Sequence, residues 1–176
     1  MSPSPRVGLA ITHDFRGVPL PSGQHAQVWL HREADELCIA VDAPFFGDPA
    51  PSTPVGATDR LWEHEVCEVF IADADEHYLE VELSPHGHHL VLELRGVRRV
   101  VRSCLPISYT VQVDPAGRYH GQARVPWQYL PSAAARVNAY LIHGEGPARR
   151  YHAHSPTGGE VPDFHRLASF VPFQLA

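Results

Sequence analysis

The sequence predicts an all-β chain, a single antiparallel β-sandwich of about ten strands with one short helical turn. Three observations predict it. Short runs alternate apolar and polar residues with a period of two, the mark of a half-buried strand. Turn signals such as Asp114-Pro115-Ala116-Gly117 and Arg95-Gly96 separate most of these runs. Finally, 17 prolines and 13 glycines in 176 residues suit many short strands better than helices.

The strands follow in chain order. Residues 9–13 (LAITH), 27–32 (QVWLHR) and 36–42 (ELCIAVD) come first. The central block carries three more: residues 66–71 (VCEVFI), 78–84 (YLEVELS) and 89–95 (HLVLELR). In the second of these, Leu79, Val81 and Leu83 share one face, and Tyr78, Glu80, Glu82 and Ser84 share the other. The block therefore predicts an apolar inner face and a carboxylate-rich outer one, where Glu68, Glu80, Glu82 and Glu93 lie together. Residues 97–102, 109–113, 119–125, 137–143 and 168–174 complete the set. Only residues 128–136 read as helical, and Pro131 limits them to about two turns. Trp29 and Trp127 lie in apolar strand contexts and are expected in the core. The length suits one domain over residues 1–176, with a loose N-terminus over 1–8.

Composition excludes several functions. Twenty acidic against fourteen basic residues give a net charge of -6, which argues against nucleic acid as a partner. The cluster Arg95, Arg98, Arg99 and Arg102 reads as a charged strand edge. There is no lysine, so Schiff-base chemistry and a lysine-bearing phosphate loop are excluded. Met1 is the only methionine, which excludes an internal Met haem ligand. Cys38, Cys67 and Cys104 are scattered and unpaired, as expected of buried free thiols in a reducing, cytoplasmic setting. No apolar run reaches the length of a membrane span, and no signal peptide is visible.

Two long loops, residues 44–60 and 144–165, interrupt the strand rhythm. Loops of that length tend to carry function. The second holds Arg149, Arg150, Tyr151, His152, His154, Asp163 and His165.

Four motifs in order carry a resemblance: Trp62 with Glu68-Val69-Phe70-Ile71; Tyr78 through Gly87; Val125-Pro126-Trp127; and Pro162-Asp163-Phe164-His165. They resemble the family 9 carbohydrate-binding modules, part of the DOMON-like, jelly-roll-like β-sandwiches, over roughly residues 27–175. The sequence is more similar still to a small uncharacterised family of stand-alone proteins found in bacteria and animals. The resemblance implies a sugar gripped between two aromatic rings. Trp62 looks like the first ring and Glu68 its carboxylate. Tyr151 stands where the second ring is expected, in place of a Trp. Neither a secretion signal nor a catalytic partner domain accompanies the module here, as it does in that family.

The reading is a non-catalytic protein that binds a small polar ligand, most plausibly a carbohydrate, on the outer sheet face under the two loops. Trp62 and Tyr151 would stack on it. Glu68, Glu80 and Glu82 would accept its hydroxyls, Arg149 or Arg150 would donate or balance charge, and His152 is a further candidate binding residue. No catalytic residue is assigned. One alternative is a metal-dependent hydrolase or isomerase using the same Glu and His side chains; another is a protein-interaction module. No cofactor is assigned with certainty, and a structural Ca²⁺ and a His-bound divalent metal are the candidates. His86, His88 and His154 are the candidate ligands of a divalent metal, since each pair spaced two apart shares a strand face. By resemblance, Asp73, Asp75 and Glu76 are candidates for a structural Ca²⁺. The stretch His64-Glu65-Val66-Cys67-Glu68 is not a zinc protease motif, because it lacks the second histidine and lies on a strand. The sequence names no oligomeric state.

Overall fold

The computed structural model describes residues 6–175. Thirteen strands build it: β1 (Val7–Ile11), β2 (His13–Asp14), β3 (Ala26–Glu33), β4 (Glu36–Pro44), β5 (Val66–Ala72), β6 (His77–Leu83), β7 (His89–Arg95), β8 (Val100–Arg102), β9 (Ser108–Val113), β10 (Arg118–Pro126), β11 (Arg136–His143), β12 (Arg150–Ala153) and β13 (Val171–Pro172). A five-stranded sheet runs β1-β3-β4-β10-β9. An eight-stranded sheet runs β2-β12-β11-β5-β6-β7-β8, with β13 on β11. Every pairing between these strands is antiparallel. The two sheets form the expected β-sandwich.

Alternation decides which residues meet between the sheets. Val69, Leu79, Val81, Val91 and Leu141 from the larger sheet join Leu30, Ile39, Val41 and Val125 from the smaller in one core. All are buried, and each contributes roughly 1.5–3 kcal/mol by leaving water.

The other face of the larger sheet differs from expectation. It is not a solvated acidic surface but a second buried core. Phe70, Tyr78, Leu90, Leu92 and Tyr140 lie on it, covered by Phe15, Leu61, Phe164, Leu167 and Phe170 from the loops. The reason is visible in β7, where Leu90, Leu92 and Leu94 fill the positions meant for solvent. A strand apolar on both faces is buried on both. Glu93 is not on this face: it pairs with Leu79, on the core side, and binds His77, Arg95 and Arg102 at the sheet end.

Buried polar side chains fasten the loops. Glu65, wholly buried, accepts from the Phe46 N–H (2.8 Å) and the Asp48 N–H (3.0 Å). Asn138, also wholly buried, donates to the Ser155 carbonyl at 2.8 Å and accepts from the Ser155 N–H at 3.0 Å. Residues 144–165 are therefore not structureless, and β12 within them pairs with β11 and β2. Asn138→Ala should cost about 2–3 kcal/mol in urea unfolding, because it strands both Ser155 backbone groups. A loss within experimental error would show that the loop needs no such tether.

Four smaller expectations are corrected. Residues 128–136 hold no α-helix, only the 3-10 turn Trp127–Tyr129 at their start. Trp127 is half-buried and packs against the core as expected, whereas the half-buried Trp29 alternates with core residues Val28 and Leu30 and so faces outward. Cys104 is exposed, whereas Cys38 and Cys67 are buried free thiols. Of the N-terminal stretch expected to be loose, residues 1–5 lie outside the described residues, and Val7 and Gly8 pair with β3. No helix among the described residues is long and apolar enough to cross a membrane.

Candidate functional site

A cavity of about 640 Å³ opens over the second core. Its floor comes from Glu68 on β5, Glu80 on β6, Leu92 and Leu94 on β7, and Ile142 on β11. Trp62, Arg98, Arg149, Tyr151, Pro162, Phe164 and His165 form its walls and rim.

Strand register assembles the acids. Glu68 lies directly opposite Glu82, and Glu80 opposite Phe70. Glu80 and Glu82 are two apart on one strand and so point to the same side. The three carboxyl groups place oxygens within 4.8 Å of one another. Their relative exposures are 2%, 3% and 0% for Glu68, Glu80 and Glu82, so all three are held out of water. Among the described residues, no N–H or hydroxyl donates to any of them. Like charges placed directly opposite repel. Burial therefore pushes all three above the usual carboxylate range, and the neighbouring carboxylates add to the rise for Glu68 and Glu82. Burial pushes Glu80 up to about 7, with Glu82 and Arg98 holding it from going higher. A proton held by Glu82 is the means by which Glu80 and Glu82 tolerate each other.

A second polar chain meets the acids from the rim. The Arg98 backbone N–H donates to the Tyr78 hydroxyl at 2.9 Å. That hydroxyl donates in turn to His165 Nδ1 at 2.7 Å. The neutral ring then carries its proton on Nε2, which lies 3.9 Å from Glu80 Oε2. Burial, helped by the nearby Arg98, takes the His165 pKa down to about 4, so the ring is neutral at physiological pH. The Arg98 guanidinium donates to Asp163 at 2.8 Å and ties the β7–β8 turn to the loop that carries His165.

Trp62 sits on a 3-10 turn anchored by the fully buried Leu61 and is itself 39% exposed. Arg149 fixes that turn by donating to the Trp62, Glu63 and Gly144 carbonyls. Its guanidinium also lies 5.8 Å from the Tyr151 ring centroid. Arg149 is thus first a staple for the Trp62 turn.

The expected site residues divide by position. Trp62, Glu68, Glu80, Arg149 and Tyr151 line this cavity, and Glu82 lies buried behind it. Arg150 and His152 line a second cavity of about 580 Å³ that shares Arg149 and Tyr151 with the first. There His152 Nε2 lies 3.4 Å from His143 Nε2. His86, His88 and His154 do not converge. They bond the carbonyls of Asp48 (2.8 Å), Thr53 (3.0 Å) and Ala10 (2.9 Å), each holding a different segment. Among the described residues, Asp73, Asp75 and Glu76 do not converge as a cluster of ligand oxygens. The Asp73 carboxylate accepts the Asp75 and His77 N–H groups and shapes the β5–β6 turn. Sequence reasoning did not single out His165, Arg98 or Tyr78 as site residues. The Pro162-Asp163-Phe164-His165 motif was the available signal for the first.

No protein-family model matches the chain. It is similar to the human protein UPF0462 protein C4orf33, at 38% identity over 180 residues, covering 96% of this chain and 88% of that one. Among solved structures, a presumptive carbohydrate-binding protein from Bacteroides uniformis superposes with a TM-score of 0.66 at 14% identity, covering 95% of this chain and 84% of the other. A family 9 carbohydrate-binding module from Caldicellulosiruptor kristjanssonii, in complex with cellotriose, covers 82% of this chain and 69% of its own at a TM-score of 0.49 and 12% identity. The first of these structural likenesses establishes the fold.

Proposed function

The chain belongs to the UPF0462 family that includes human C4orf33, and from that premise we propose that it is a non-catalytic protein binding a sugar-like, hydroxyl-rich small molecule in the cavity beneath Trp62. One observation carries this reading. A partly exposed tryptophan stands over carboxyl groups that receive no hydrogen bond from an N–H or an alcohol hydroxyl of any described residue. Buried acceptors normally have donors. A polyol brings hydroxyl donors in number without bringing a charge that must itself be desolvated. Its C–H faces suit the flat ring of Trp62, and the cavity volume falls in the range of small-molecule sites. With Glu80 near half-protonated around neutrality, that carboxyl both donates and accepts, as ligand hydroxyls do. The name of the Bacteroides uniformis fold neighbour agrees with the reading; the cavity's chemistry is what supports it.

The test is a glycan-array screen followed by calorimetric titration of the retained saccharide. Trp62→Ala should weaken binding about tenfold or more, equivalent to ~1.4 kcal/mol. Equal affinity in the variant, or a screen that retains no saccharide, overturns the reading.

A further inference from the structure

We propose that Glu68, Glu80 and Glu82 form a site for one hard divalent cation, of the Mg²⁺, Mn²⁺ or Ca²⁺ class, in the floor of the cavity. This does not rest on a sugar binding above it.

Geometry is the first argument. The three acids come from two neighbouring strands and offer oxygens all within 4.8 Å of one another. Two oxygens on one ion at 2.0–2.4 Å are at most about 4.8 Å apart, and three oxygens within that spacing have a common centre no more than about 2.8 Å from each, so small side-chain adjustments bring all three onto a single ion.

Glu82 supplies the second, separate argument. It does not line the cavity, it is wholly buried, and among the described residues no N–H or hydroxyl bonds either of its oxygens; its one polar neighbour is the like-charged Glu80. Oε2 of Glu80 is also unpartnered. Burying such groups without compensation costs several kcal/mol by general reckoning. A proton shared between Glu80 and Glu82 engages one oxygen of each. It leaves the second oxygen of Glu82 orphaned and does nothing for Glu68. A cation among the three engages them all.

The surrounding positive groups do not take that role. Among the described residues no arginine nitrogen is within ion-pair distance of these three acids, and the guanidiniums lining the cavity donate elsewhere: Arg149 to backbone carbonyls and Arg98 to Asp163. With the Tyr78 hydroxyl donating to Nδ1, His165 turns its Nε2–H, not a lone pair, toward Glu80. It therefore serves as an outer partner orienting the carboxylate, the arrangement that supports ligands around metals. An all-oxygen donor set suits hard cations such as Mg²⁺, Mn²⁺ and Ca²⁺. Glu68 and Glu80 face the cavity, so remaining coordination positions would open toward it for water or ligand hydroxyls.

The experiment is titration of EDTA-stripped protein with Mn²⁺, followed by electron paramagnetic resonance and calorimetry. The wild type should bind one Mn²⁺ per chain. Glu68→Gln and Glu82→Gln should each weaken it at least about tenfold, as loss of a ligand does. The turn variant Asp75→Asn should leave it unchanged. Circular dichroism confirms that each variant is folded. Absence of saturable binding in the wild type overturns the proposal, as does full affinity in both glutamine variants or loss of affinity in Asp75→Asn. Saccharide bound normally by a chain that takes no Mn²⁺ sinks this proposal alone. Mn²⁺ bound by a chain that retains no saccharide sinks only the sugar reading.

Discussion

Phe70→Ala is expected to cost about 3–5 kcal/mol in urea unfolding and to lower the melting temperature by roughly 10 °C. Phe70 is wholly buried in the middle of β5, on the face away from the sandwich core. Its ring meets Tyr78, Tyr140, His165 and Phe170 at centroid distances of 5.4–6.2 Å. Strand register places it between Glu80 on β6 and Asn138 on β11. Removing the ring loses its transfer energy and leaves a void, since strand backbones cannot close in to fill it. The void also abuts His165 and Glu80, so the variant should lose ligand binding along with stability. A cost below ~1 kcal/mol would mean that the face is loosely covered, not a packed second core.

That second core explains what was and was not legible beforehand. Strands β3 to β7 and β9 to β11 were readable to within about two residues because one apolar face repeated with a period of two. β12 was missed, for Arg150–Ala153 carries no alternation and lies among Gly and Pro residues. The covered outer face was missed for a different reason. Its lid comes from Leu61, Phe164, Leu167 and Phe170, which are distant along the chain from several of the side chains they cover. A pattern read along a strand reports only whether a face is apolar, not what lands on it. The alternation of Glu80 and Glu82 with leucines suggested solvent. Only the leucines at 90, 92 and 94 of the neighbouring strand contradicted that. Trp62, Glu68, Glu80, Arg149 and Tyr151 were named together and do surround one cavity. The histidines were chosen by abundance and spacing, and His86, His88 and His154 went to separate carbonyls because an imidazole N–H is an efficient loop clamp. His165 became important only through a partner 87 residues away, Tyr78, which sequence adjacency does not reveal.

Glu80→Gln is expected to stabilise the metal-free protein at pH 8 by about 3 kcal/mol, a gain that fades as the pH falls toward 4. The sign follows from proton binding. The Glu80 carboxyl titrates near 7 in the folded chain against an ordinary 4.5. Between those values the folded state holds a proton that the unfolded state has released. Stability contributed by this group is therefore full below about 4.5 and declines as pH rises through 7, above which it is constant. Glutamine cannot ionise, so the variant escapes the decline. Buried histidines act in the opposite sense: His143, His152 and His165 have folded values near 4, and each loses stability as pH falls from 6.5. They are present in both proteins, so the difference between variant and wild type reports Glu80 together with the two acids coupled to it, Glu68 and Glu82. Urea unfolding in EDTA at several pH values between 5 and 8 measures it, with His165 neutral over most of that range. A stability difference independent of pH would show that Glu80 is not held in its protonated form by burial. Saturating Mn²⁺ should reverse the ordering at pH 8. A cation among the three acids favours their charged forms, and the wild type would then gain stability that Glu80→Gln, with one charged ligand fewer, does not.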